Sequence, residues 1–368
     1  MATPATPYLR AALLLAPALA LAIVIGVFFA KTTDSRDRAV APQPAPEGGT
    51  AQAPQSVEAD TSLLQWTAAP GSPDNTVTTN GSWFLTVAAS GTEYALDGPQ
   101  DSFGSDDPTD GRITNALLDD DWAVVVRHAR DKDKPDVAEV TRLSIGQQFT
   151  IDGDTDVPTT NGGTWALSGD TLVHATVTKA GDYCLASIDL VEQQTTVGWC
   201  TGPQQGFTTA HVTEAGTTLL TFDDSQPVCR TVGLVDGDAL APFDGVPECE
   251  GFDHAVMAKD SVVWSTQPQN AAEGTAEFFA REGDSWYDLG RGTSGTLVPC
   301  GDATYFVRDP QKAGGPAQLV RWQDRILTVV YEAPPGQSYL EAPRCGDAAL
   351  VVTALQETGN EQVMAALE

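Results

Sequence analysis

One pattern recurs down the chain and limits what it can fold into: a turn ending in a small or acidic residue, then a run of β-branched and aromatic residues. Its instances are SWFLTV from Ser82, DWAVVV from Asp121, DTLVHATV from Asp170, TTLLTF from Thr217, DSVVWS from Asp260, DATYFV from Asp302 and DAALVV from Asp347. The steps between them are 39, 49, 47, 43, 42 and 45 residues. The last two copies share four letters, Cys300-Gly301-Asp302-Ala303 and Cys345-Gly346-Asp347-Ala348. Further apolar runs beginning at Ala138, Tyr183, Val228, Ala276, Ala317 and Gln362 stand where a third strand belongs. QQFTID from Gln147 and ILTVVYEA from Ile326 stand where a fourth belongs. Four short strands per period of about 44 residues predict one small antiparallel sheet per repeat, each packed against its neighbours.

The seventh repeat stops after its third strand, at Glu368. Residues 62–67, SLLQWT, are suited to supply the missing fourth, which would close a ring and protect its edges. The first repeat, around Ser102 to Asp110, lacks a clear outer strand. Over residues 61–368 the sequence resembles the β-propeller superfamily, with a period like that of quinoprotein or WD-repeat propellers. It has neither the Gly-His…Trp-Asp signature nor the quinoprotein docking motif, and no sialidase Asp-box. The resemblance implies an all-β, seven-bladed β-propeller ectodomain, and it carries no functional residue across.

Ahead of the repeats, residues 11–30 form 20 positions without a charge. That is about 30 Å of helix, one bilayer crossing. The run is longer than the apolar region of a cleavable leader, and the small-residue site Ala39-Val40-Ala41 is followed by Pro42. The expected organisation is a cytoplasmic tail at 1–10, a single transmembrane signal anchor at 11–30, a disordered Pro/Ala-rich linker at 31–60 and the propeller at 61–368. Lys31, Arg36 and Arg38 outnumber Arg10, which taken alone favours the C-terminal side inside. The cysteines argue for the opposite side, and long domains translocate regardless of flanking charge.

All six cysteines lie in the repeats, an even number in an exported chain. Cys184 sits in the third strand of the third repeat and Cys200 near the end of its fourth, and Cys229 and Cys249 occupy the corresponding places in the fourth repeat. This predicts Cys184–Cys200 and Cys229–Cys249, each within one blade. Cys300 and Cys345 hold one position in successive repeats and are expected to bridge neighbouring blades. No Cys-x-x-Cys spacing points to a metal.

The chain carries 50 acidic against 20 basic residues, net charge −30. That excludes a nucleic-acid partner, which needs a basic footprint, and disfavours anionic lipid surfaces. Of the four histidines, His211 and His254 each lie six residues before their repeat marker, on adjacent inner strands, where two imidazoles could hold a metal. The matching positions on either side are Thr164 and Thr296, so a third ligand is lacking. Asp152, Asp154 and Asp156 resemble the start of a calcium loop, but Val157 and Gly163 stand where Gly and Glu are required. No other cofactor is expected. The repeat carboxylates Asp121, Asp170, Asp260, Asp302 and Asp347 read as turn caps bonding their own backbone.

No catalytic spacing, phosphate loop or dinucleotide fingerprint is present. The expected function is therefore a membrane-anchored, extracytoplasmic, non-catalytic binding or scaffold module with a monomeric ectodomain. Its ligand would be a protein, peptide or glycan of the cell envelope. The alternative is a metal-assisted propeller hydrolase or lyase acting on sugars or lactones. It requires His211 or His254 within ligand distance of a carboxylate.

Overall fold

The computed structural model describes residues 53–105, 111–131, 133–226, 228–243, 246–258, 260–267, 274–308, 310, 315–334, 338–357 and 359–367. The expected tail, membrane helix and most of the linker lie outside them. Among the described residues no helix is long and apolar enough to cross a membrane.

Seven separate sheets follow one another along the chain, at 76–105, 112–151, 165–200, 205–242, 253–293, 298–332 and 338–366. Here they are called blades 1 to 7. In blades 1 to 6 four strands meander outward in sequence order, every pair antiparallel. Each repeat marker is the second strand of its blade, such as Trp122–His128 and Ala303–Arg308.

These second strands carry consecutive apolar residues because both faces of each sheet are covered. In blade 2, Ala123 and Val125 pack with blade 1, through Leu85 and Leu96. Trp122, Val124 and Val126 pack the other way, onto Leu172 and Ile188 of blade 3. The period of two thus serves two interfaces at once. Six such apolar clusters fill the seams from blade 1/2 through blade 6/7. At roughly 25 cal/mol per Å² buried, these seams dominate the stability of the ring.

The seam between blades 7 and 1 is made differently. Gln362 donates from Nε2 to the Asn75 carbonyl at 2.9 Å, and Asn360 donates from Nδ2 to Asp74 Oδ1 at 2.9 Å. Gly346 lies so close to blade 1 that a Cβ there would run into the Thr79 carbonyl. Glycine is required here by close approach of two backbones.

Closure differs in register from the sequence expectation. Only Thr67–Ala68 pairs with the third strand of blade 7, as its antiparallel fourth strand. Residues 62–66 still belong to blade 6: the amides of Ser62 and Leu64 donate to the carbonyls of Val329 and Val330. Trp66 fixes this placement, donating from Nε1 to the Val330 carbonyl at 2.7 Å and meeting Tyr331 edge-on. The paired chain also starts earlier than residue 61. Asp60–Thr61 adds a parallel edge strand to blade 6, and Gln55–Ser56 adds one to blade 5. Residues 55–68 form a strap around three blades, with Val57, Ala59 and Leu64 seated on their cores.

Blade 1 is complete, against the expectation of a missing outer strand. Ser102–Ser105 forms it, and Phe103 stacks on Trp83 at 6.0 Å. A single large aromatic in a short polar strand suffices to dock it.

Candidate functional site

The innermost strands surround a central channel of about 950 Å³. The turns joining first to second strands gather at one mouth and bring Asp119, Glu214, Asp302 and Asp347 to its lining. Arg344 is the cation among the described lining residues. It is held by Glu341 Oε2 at 2.9 Å and by Thr353 Oγ1 at 3.4 Å.

Asp119 is the most perturbed of these carboxylates. Burial pushes its pKa up, amide hydrogen bonds from Asp120 and Gly169 pull it back, and the charges of Asp347 and Asp120 push it up again. Both amides donate at 2.7 Å, one to each carboxylate oxygen. The Gly169 bond crosses from blade 3 to blade 2, so the carboxylate is fixed at a seam.

His211 also lines the channel, and the structure brings it to His254 as expected, with ring centroids 4.9 Å apart and planes at 71°. The His211 ring bonds the backbone of His254, and its Nε2 is buried without a partner. His254 is fully buried, with Nε2 3.1 Å from Thr218 Oγ1. Burial lowers His211 to about 4. Burial and the neighbouring His211 drive His254 well below the ordinary imidazole value. Both rings are neutral at physiological pH.

Thr164 and Thr296, at the matching positions, act as latches: Thr164 Oγ1 accepts from the Ala210 amide, and Thr296 Oγ1 accepts from the Val307 amide. The nearest carboxylate in sequence, Asp253, accepts the amide of His254 on Oδ1 and that of Leu297 on Oδ2. Burial pushes Asp253 up to about 7, against the pull of those two amides. Among the described residues no three metal-ligating side chains converge.

The other candidates are placed as follows. Asp152 Oδ1 accepts the Asp154 amide, which makes the 152–156 segment a turn held by its own first carboxylate. The three disulfides form as paired in the sequence analysis: Cys184–Cys200, Cys229–Cys249 and Cys300–Cys345. The last ties the innermost strand of blade 6 to blade 7 at the channel mouth. Two of the repeat carboxylates, Asp121 and Asp170, depart from the turn-cap reading. Asp121 pairs with Arg142 at 2.8 Å and accepts the Ser144 amide, so it holds the third strand. Asp170 accepts the Trp122 indole N–H from blade 2 at 2.8 Å. A turn carboxylate at a seam finds better donors across it than within its own turn.

Two polar groups escaped the sequence reading. His128 Nδ1 lies 2.8 Å from Asp136 Oδ1, a carboxylate 2% exposed that also accepts the Gly162 amide. Arg127, 3% exposed, donates from Nε to Glu139 at 3.0 Å and from Nη1 to the Thr92 carbonyl, while Tyr94 donates to the other Glu139 oxygen at 2.7 Å. Glu139 faces blade 1 from mid-strand, and no local motif marks such a residue.

Seven sheets about a central channel define a seven-bladed β-propeller. No family model matches the chain, and no curated protein matches it. Among solved structures it is similar to the β-propeller domain of the Trilobed protease from Pyrococcus furiosus, with TM-score 0.53 and 9% identity over 83% of this chain and 96% of that one. It is similar to a prolyl endopeptidase, with TM-score 0.52 and 11% identity over 79% of this chain, spanning 48% of that one. It is similar to YCF48 bound to D1 peptide, with TM-score 0.50 and 11% identity over 84% of this chain and 99% of that one. At such identities the likeness is one of fold.

Proposed function

We propose that this chain is a membrane-tethered, extracytoplasmic binding propeller that holds a basic segment of a partner protein at the acidic mouth of its central channel. The observation that carries the reading is the carboxylate lining of one channel mouth, Asp119, Glu214, Asp302 and Asp347. Asp119 is raised first by burial and, to a lesser extent, by the negative charge of Asp347. A Lys or Arg side chain bound there would offset that repulsion. The cavity is of ligand-binding size. Its rim is held by Cys300–Cys345, so the carboxylates are placed before the ligand arrives, which lowers the ordering cost of binding. Three disulfides suit an oxidising compartment, and residues 11–30 supply the anchor. YCF48, one of the structures of similar fold, is bound to a peptide.

The alternative, a metal-assisted hydrolase or lyase, asks for a carboxylate on His211 or His254. Asp253 gives both oxygens to backbone amides instead, so no observation favours it.

The test is affinity capture by the full chain in detergent, in parallel with Asp119→Asn/Asp347→Asn. A partner held by the parent chain, released by high salt and lost to the variant, is the expected result. Equal capture by both proteins overturns the reading, as does a stoichiometric metal with no partner.

A further inference from the structure

A second cavity, about 290 Å³, lies at the seam of blades 5 and 6. It shares Met257 and Asp302 with the channel lining, so the two spaces adjoin at one edge. From that edge the groove leads past Glu282 and Trp322 to Asp324 and Arg325, on the turn between the third and fourth strands of blade 6. We infer that this groove extends the channel site and that the ligand is an extended basic segment lying across both. The inference rests on the reading of the channel mouth given above.

The walls fit a Lys or Arg side chain. Half-buried Met257 offers apolar surface for an aliphatic stem, and the buried Trp322 indole backs the groove beside it. Glu282 Oε1 already accepts the Trp322 indole N–H at 3.0 Å and the Ser261 hydroxyl at 3.0 Å. Those bonds fix the carboxylate and leave its second oxygen for the groove. Asp302 and Asp324 add negative charge on the exposed side. Arg325 then reverses the sign at the outer end, so the basic stretch of the ligand stops there.

The turn carrying Asp324 and Arg325 differs from its counterparts in blades 4 and 5. Blades 4 and 5 place Gly237 (φ 60°) and Gly283 (φ 59°) first in this turn. Blade 6 places Asp324 (φ 52°) and Arg325 (φ 65°) in the left-handed region, where side chains cost about 1 kcal/mol or more each. Two charged side chains are thus kept at the groove end in a conformation that glycine would adopt at lower cost.

The experiment titrates the full chain with tri-arginine, which fits the channel mouth alone, and with octa-arginine, long enough to span both spaces. Glu282→Gln/Asp324→Asn changes only the groove: Gln keeps the acceptor for Trp322, and Asn tolerates the left-handed turn. Asp236→Asn/Asp238→Asn, both exposed at the outer turn of blade 4, controls for the same change of two charges. The expected result is that the groove variant weakens octa-arginine by about threefold per charge and leaves tri-arginine at the control value. Arg325→Gln is expected to do the opposite, tightening octa-arginine by about threefold. Octa-arginine affinities equal to the control in both variants overturn the groove, while a loss of tri-arginine binding in Asp119→Asn/Asp347→Asn keeps the channel reading intact. If that channel variant matches the control for both peptides, the proposed function itself fails. Thermal melting of each variant confirms that it folds.

Discussion

His211 and His254 meet edge to face with ring centroids 4.9 Å apart, one on the channel wall and the other fully buried behind it. Two imidazoles at that distance in a low-dielectric seam cannot both be charged. Their burial ties the stability of the ring to pH.

The two histidines have folded pKa values depressed by burial, His211 to about 4 and His254 well below the ordinary imidazole value. Their contribution is fully present above about pH 6.5, the unfolded value, and is lost as pH falls. Asp253 runs the other way. Raised by burial to about 7, it favours folding below the unfolded carboxylate value and opposes it as pH rises through 7. Between about pH 4.5 and 6.5, unfolding takes up protons on His211 and His254 and also on His174, which burial likewise lowers, against one release from Asp253. The net expectation is that stability falls as pH drops through this window, with a slope of about one proton or more. Denaturation midpoints measured across it check this. His211→Gln should flatten the slope, and a profile already flat in the parent chain would contradict the assignment of both rings as neutral.

Arg127 and Glu139 form an ion pair within blade 2 that reaches blade 1 through the Thr92 carbonyl and the Tyr94 hydroxyl. Arg127 is buried and its charge is answered by Glu139, which also accepts the Tyr94 hydroxyl. Glu139→Ala leaves a buried guanidinium unpaired and should cost about 3 kcal/mol. Adding Arg127→Met removes the stranded charge, so the double variant should lose less than the sum of the two single changes. Urea denaturation of the four proteins gives the coupling energy. Simple additivity would mean that the two side chains do not act as one unit.

The parts of this molecule that could be read from its sequence are those that repeat. The second strands were legible because both of their faces are buried, which forces apolar runs such as Trp122–Val126 at a fixed period. The cysteine pairs were legible because Cys184 and Cys229, like Cys300 and Cys345, recur in register with that period. What crosses a seam was not legible. Glu282 with Trp322 and His128 with Asp136 are contacts set by the stacking of blades or by loop folding, and neither leaves a spacing in the chain. Identity of letters also misleads. In Cys300-Gly301-Asp302 the glycine takes the left-handed position at φ 57°, whereas in Cys345-Gly346-Asp347 it is Asp347 that does so, at φ 68°. Gly346 is needed there for contact with Thr79. Of the channel-rim carboxylates, Asp302 and Asp347 were visible as repeat residues and Asp119 and Glu214 were not, and the convergence of all four depends on ring closure.

The strap gives a prediction about local opening. Its three pairings are only two residues long, and Trp66 supplies its largest contact. Trp66→Ala should cost about 2 kcal/mol, less than a fully buried Trp because this one is half-exposed. The loss should be local first: limited proteolysis should cut within 55–68 before the ring unfolds. Cleavage that begins elsewhere at an unchanged rate would show that the strap does not hang on Trp66.

The Cys300–Cys345 bridge connects stability to the channel. It closes a 45-residue loop, against 16 for Cys184–Cys200, and loop entropy alone assigns it about 4 kcal/mol against about 3. It also sets the distance between the two rim carboxylates Asp302 and Asp347, each two residues beyond its cysteine. Cys300→Ala/Cys345→Ala should therefore lower the unfolding free energy by about 4 kcal/mol and weaken tri-arginine binding by several-fold, because a rim that must be reordered on binding loses affinity. Cys184→Ala/Cys200→Ala, whose bridge lies within blade 3 at the opposite end of the strands, should cost stability without changing that affinity. Denaturation and peptide titration on the same two variants separate the effects. Equal affinities in both would mean that the rim keeps its geometry without the bridge, and that pre-organisation by Cys300–Cys345 plays no part in binding.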